Sequence, residues 1–201
     1  METIFENIRR KKKRLLAEQN FEINSKCDRD PATTSEDRIV GDQRGGRGRA
    51  FVYGKYPARR NACEAIAVHN AKVKLGVPST LSETIAAFQS LRAMIFRGFF
   101  GSNVFKIGRV LKYYGIPYTR FFRKKRLAGE GLYIISYWNK RPWRNGIHTV
   151  TTEHSGAGFS TYNLRGDGIV SGEDPRVFGK RFITGYRLLA DGGETKIQET
   201  E

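Results

Sequence analysis

Apolar positions along this chain change their spacing about halfway. Between residues 61 and 115 they recur every three or four residues, and after 118 they come in short runs that alternate with polar positions or stay apolar throughout. In NACEAIAVHNAKVKLG (61–76), Asn61 stands as an N-cap with Glu64 three residues on. This capping-box spacing predicts a helix over 61–75, stopped by Gly76 and Pro78. Thr80 and Glu83 repeat the spacing and predict a second helix through Ile85, Ala86, Phe88, Leu91 and Ile95 to Gly98. A third follows Ser102 or Asn103, through Phe105, Ile107, Val110 and Leu111, to Gly115 and Pro117. Strand-like runs then take over: YTRFF at 118–122, GLYIISYW at 131–138, GIHTVTTEH at 146–154, FSTYNL at 159–164 and RFITGYRLL at 181–189. Ser-Gly-Ala-Gly at 155–158 makes 146–164 a hairpin. Helices first and antiparallel strands afterwards predict an α+β fold, a helical half packed on a C-terminal antiparallel sheet.

The flanks read differently. Residues 1–20 place Ile4, Phe5, Ile8, Leu15 and Leu16 at helical spacing among many cations, and from Asn24 to about Arg49 apolar residues thin out. Residues 1–49 are therefore expected to be a basic helix followed by a Gly/Arg-rich arm, 50–190 the folded domain, and 191–201 an acidic tail.

Composition sharpens this outline in two places. The chain has 201 residues, with 36 Lys and Arg against 20 Asp and Glu, a formal charge of +16. Such a balance favours an acidic or nucleic-acid partner. The cations gather in RRKKKR (9–14), RGGRGR (44–49) and RFFRKKR (120–126). In the last run Arg123, Lys124, Lys125 and Arg126 follow Phe121 and Phe122. That order suits phosphate contact and base stacking, and equally describes a solvated end of a strand whose aromatic residues face a core. Two cysteines, at 27 and 63, form no disulfide framework and no metal-ligand spacing, so neither a metal nor a cofactor is expected and a reducing cytoplasm is. The charged N-terminus lacks the apolar run of a signal peptide, and no stretch has the length and apolarity of a membrane span. Oligomeric state is left open.

Candidate chemistry starts at Cys63. In the first turn of a helix, free N–H groups and the helix dipole favour a thiolate, while free cysteine is also a common small apolar filler. His69 lies six residues along the same helix and cannot turn back to its first turn, and His154 sits at the polar end of the hairpin. His148 starts the first strand of that hairpin and Asn163 ends the second, so the two can be neighbours, with the Asn163 amide oxygen fixing the imidazole tautomer.

A cysteine opening a long helix, further helices, and then a sheet carrying His and Asn resembles the papain-like cysteine peptidase fold. It is most similar to the compact bacterial branch that contains the double-glycine leader peptidases. The matching pieces are the helix at 61–76, NVFKIGRVLKYYGIPYTR, and GIHTV with TYN, from roughly residue 53 to 170. The resemblance implies Cys63 as nucleophile, His148 as general base, Asn163 as orienting residue and a peptide or protein substrate. The leader peptidases commonly have Cys-Gly-Pro where this chain has Cys63, Glu64 and Ala65. Papain-like enzymes also place a glutamine shortly before the cysteine to hold the oxyanion, where Pro57 stands here. Asn61 or a backbone N–H can take that part, although Asn61 is also wanted as the helix cap. The alternative reading is a papain-like scaffold without catalysis that binds a polyanion through its basic surface.

Overall fold

The computed structural model describes residues 50–78, 80–139, 146–164 and 181–189, with short stretches between 11 and 44 and positions 172, 174 and 175. Most of the basic N-terminal helix, RRKKKR apart from Lys11 and Arg14, RGGRGR apart from Arg44, Cys27 and the acidic tail lie outside the described residues.

Two short strands, β1 (Val52–Tyr53) and β2 (Tyr56–Pro57), form a small hairpin. A single helical turn, α1 (Ala58–Asn61), leads through Ala62 into α2 (Cys63–Lys74). Next come α3 (Leu81–Ser90) and α4 (Ile107–Tyr113). The sheet is built from β3 (Tyr118–Phe121), β4 (Gly131–Trp138), β5 (Ile147–Ser155), β6 (Gly158–Tyr162) and β7 (Arg181–Leu188), in the order β3-β7-β4-β5-β6. Every neighbouring pair is antiparallel, and β5 turns into β6 between Ser155 and Gly158. The chain is an α+β protein. No helix among the described residues is long and apolar enough to cross a membrane.

α2 is central: every residue from Cys63 to Lys72 is buried. That accounts for the alanines, Ile66 and Val68 along it, since a helix covered on every side has no solvent-facing stripe, and its polar residues Glu64, His69, Asn70 and Lys72 are buried with them. Its core neighbours are Ile85 and Phe88 of α3, Val110 and Leu111 of α4, and Ile134, Tyr186 and Leu188 on one face of the sheet. The opposite face carries a second cluster of Phe121, Leu127, Tyr133, Ile135, Tyr137, Val150 and Leu164. Strand alternation sorts β5 between the two. Thr149 and Thr151 face α2, where Thr151 Oγ1 donates to Ala67 O at 2.6 Å and Thr149 bonds Ser136 at 2.9 Å. Val150 faces the other way, and His148 shares its parity.

Three expectations need correction. The cap of α2 is Ala62, with no side-chain hydrogen bond, because Asn61 belongs to α1 and its amide is used elsewhere. α3 ends at Ser90, not at Gly98, since Arg92 takes φ 55°, a left-handed conformation that breaks a helix. Residues after it fold back into a loop closed by the Met94–Ser102 bridge. The Thr80–Glu83 capping box does form in full. Finally, Val40 and Gln43, in the stretch expected to be a flexible arm, are buried. Asn70 of α2 holds Val40 by both backbone groups, accepting from its N–H at 2.7 Å and donating to its carbonyl at 3.0 Å.

Candidate active site

β6 leaves β5 early. Their pairing starts at Thr151–Tyr162, so residues 147–149 have β4 on one side and a free edge on the other. Cys63, first residue of α2, covers that edge. Its Sγ lies 4.0 Å from Ile147 O, to which the thiol donates, and the Thr149 backbone N–H also bonds the sulfur. The thiol thus meets the strand backbone on both sides of His148. It is 6% exposed. Burial first, and then the charge of Glu64, push its pKa well above the ordinary thiol range, so the resting side chain is the neutral thiol.

Asn163 follows β6 with φ 60°, a left-handed conformation that asparagine tolerates better than most residues. The turn points its carbonyl oxygen at His148, whose Nε2 lies 2.7 Å away. A carbonyl only accepts, so Nε2 carries the proton and Nδ1 keeps the lone pair. Burial lowers the His148 pKa, which keeps the ring neutral. The Tyr137 ring meets the imidazole edge-on at 5.9 Å between centroids. The tautomer is therefore set by the backbone of Asn163 and not by its amide, as the sequence suggested.

The Asn163 amide has a partner that sequence reasoning missed. Its Nδ2 donates to Gln43 Oε1 at 3.1 Å and its Oδ1 accepts from the Gln43 backbone N–H at 3.2 Å. Gln43 Nε2 in turn donates to the carbonyls of Ala58 and Arg59, at 3.2 and 3.4 Å. These belong to α1, the turn just before Cys63. A loop of contacts thus runs from α1 through Gln43, Asn163 and His148 to the strand that Cys63 touches. No local signal in the polar stretch around position 43 points to this bond, which spans 120 residues.

Asn61 is spent elsewhere: its Nδ2 donates to Gly98 O at 2.8 Å and Phe99 O at 2.6 Å. With both amide protons committed, it is not free to hold an oxyanion. It instead fastens the loop whose Phe96, Phe99 and Phe100 rings are exposed and pack edge-on against one another. Among the described residues no hydrogen bond joins Cys63 to His148. The structure brings Cys63 against the backbone on both sides of His148 and the imidazole against Asn163, and shows no contact between the thiol and the imidazole among the described residues.

Arg123, Lys124, Lys125 and Arg126 lie at the other side of the sheet, after edge strand β3, and all four are exposed. Lys124–Leu127 is a single turn of 3-10 helix with the buried Leu127 as its anchor. Arg120 is set between the Phe105 and Phe122 rings, 4.9 and 4.6 Å from their centroids, and Phe122 is 60% exposed. Among the described residues no group of three or more His, Cys, Asp or Glu is placed to hold a metal ion.

No family model matches the chain, and neither does any curated protein or solved structure.

Proposed function

We propose that the chain is a papain-like thiol hydrolase acting on a peptide or isopeptide bond, with Cys63 as nucleophile, His148 as the acid–base residue and Asn163 as the group that orients it. The observation that carries this reading is the arrangement around residue 148. A helix-start thiol lies against the backbone on both sides of a histidine that is neutral, tautomerically fixed and bonded to Asn163. In the reaction, sulfur bonds to the substrate carbonyl carbon and the C–N bond breaks as the leaving amine takes a proton. Water then cleaves the thioester, releasing the acid and restoring the thiol. His148 Nδ1, with its lone pair free, passes the protons in these steps. Catalytic contacts in unliganded enzymes are often long and tighten when substrate binds, which fits a thiol that rests on Ile147 O. Gln43 acts by holding Asn163 in place. A peptide or protein substrate, no resident cofactor and a cytoplasmic setting complete the proposal.

The second reading is an inactive scaffold that binds a polyanion. It draws on the exposed block Arg123–Arg126 beside Phe122, and on the raised thiol pKa. Turnover separates the two. Purified chain is incubated with a quenched-fluorescence peptide library, beside Cys63→Ala. The hydrolase reading expects cleavage that falls by at least about 10³-fold in the variant, with unchanged unfolding. Cleavage that survives Cys63→Ala, or none from either protein, removes that reading and leaves the scaffold.

A further inference from the structure

Glu64 is the one buried carboxylate among the described residues, 2% exposed, and it directly follows Cys63 in the first turn of α2. Its Oε2 has no hydrogen-bond partner among the described residues. The loop backbone closes over it at Gly101, where φ is +71° and a Cβ would come 3.3 Å from Oε2. Glycine is needed there both for the conformation and for the close approach. The groups around the pair come from five elements. Tyr53 of β1 faces the carboxyl, its hydroxyl bonded to Ser102 Oγ; the Ser102 N–H comes from the loop; the Cys63 thiol stands beside the carboxyl on α2; and Tyr137 of β4 faces the thiol. His148 of β5 is neutral and bonded to Asn163. No ion pair among the described residues offsets the burial.

A buried carboxylate without a cation or a full set of donors is costly, by several kcal/mol per group, and the ordinary relief is to hold a proton. A thiol and a carboxyl on adjacent residues, both buried in the same helical turn, cannot both ionise easily, for the reason that makes paired carboxylates titrate in two separated steps.

We propose that Cys63 and Glu64 form an acid pair that shares one proton at neutral pH, the Glu64 carboxylate accepting the thiol proton to generate the nucleophilic thiolate. The thiol hydrogen turns from Ile147 O to the carboxylate, and the transfer moves that one proton from Sγ to a carboxylate oxygen, leaving a thiolate and a neutral carboxylic acid, so the net charge of the pair stays at one negative. The N-terminus of the twelve-residue α2 favours that charge on either group. Burial raises the Glu64 pKa to about 7, which places the loss of the first proton in the neutral range. The inference rests on the reading of Cys63 as nucleophile and adds the proton acceptor that the resting geometry denies to His148, which is left to act on the leaving group and water.

The test is the pH profile of Cys63 alkylation by iodoacetamide in full-length chain carrying Cys27→Ser. An isolated thiol gains about tenfold in rate per pH unit up to its own pKa. The shared proton predicts that the rise stops near pH 7 and gives way to a plateau, because the fraction of the thiolate–carboxylic acid form is then constant. Glu64→Gln removes the plateau and restores an unbroken rise. A profile without a break in the Glu64-containing protein, superimposable on that of Glu64→Gln, overturns the proposal. Carboxyl NMR of the unsubstituted chain gives a second check that needs no Glu64 variant. The Glu64 resonance should titrate in two steps, the later one absent from Cys63→Ala, and a single step at the ordinary carboxylate pKa contradicts sharing. The outcomes separate from those for the hydrolase: a break with no peptide cleavage keeps the pair and removes the hydrolase, and cleavage lost in Cys63→Ala with no break does the reverse.

Discussion

At the β6 edge of the sheet, Cys63, Glu64, Gln43 and Asn163 are buried and His148 is half-buried, and their contacts are hydrogen bonds between segments far apart in the sequence. At the β3 edge, Arg123, Lys124, Lys125 and Arg126 are exposed, and the contacts beside them are ring and cation–ring packing of Arg120 with Phe105 and Phe122. The first edge spends folding energy to desolvate groups with chemistry, and the second keeps its charges in water. A buried polar group is sensitive to the loss of one partner, whereas a solvated cation is not. Reactivity is therefore expected at the first edge and adaptable, salt-dependent attraction at the second.

The sharpest way to break this contrast is to strike each edge and measure the same peptide cleavage. His148→Ala removes the acid–base group and should lower kcat/KM by about 10² to 10⁴-fold. Replacing Arg123, Lys124, Lys125 and Arg126 together by serine should change kcat by less than about twofold, because none lies near the corner, and any loss should appear in KM and fade with added salt. Equal losses in kcat from both changes would mean that the two edges form one site.

A smaller effect sharpens the comparison in stability. Gln43→Leu keeps the backbone N–H that bonds Asn163 Oδ1 but leaves Asn163 Nδ2 without its acceptor and the Ala58 and Arg59 carbonyls without their donor, and should cost about 1–3 kcal/mol in urea unfolding. Lys125→Ser, at the solvated edge, should stay within about 0.5 kcal/mol of the parent. A Gln43 variant as stable as the parent would show that the loop of contacts through α1 is not holding the corner together.

How far these features were legible follows from the range of the interactions behind them. β4 reads directly from GLYIISYW, since an apolar run opened by a glycine leaves little choice, and the β5–β6 hairpin follows from its Ser-Gly-Ala-Gly turn. The capping box at Thr80 is local and forms as expected. The end of α3 was not legible: Leu91 and Ile95 keep helical spacing, but the chain there is diverted by left-handed residues at Arg92, Phe96 and Arg97 and by the Asn61 amide reaching the loop from α1. Asn61 and Glu64 have the spacing of a capping box, yet a preceding helical turn takes Asn61 and leaves Glu64 buried against Gly101. The neighbourhood of His148 and Asn163 could be seen from the hairpin. That the backbone carbonyl makes the bond could not, because it depends on the conformation of one residue after β6. Gln43 was invisible for the same kind of reason, its partners lying on α1 and beyond β6.

The central claim is that the Cys63 thiol attacks a carbonyl presented to it. It is tested most directly by treating native full-length protein with a peptidyl acyloxymethyl ketone and mapping the adduct by mass spectrometry. The account predicts a single adduct on Cys63, formed faster than any on Cys27 and absent from Cys63→Ala. Modification of Cys27 at an equal or greater rate, with Cys63 spared until the protein is unfolded, would contradict it.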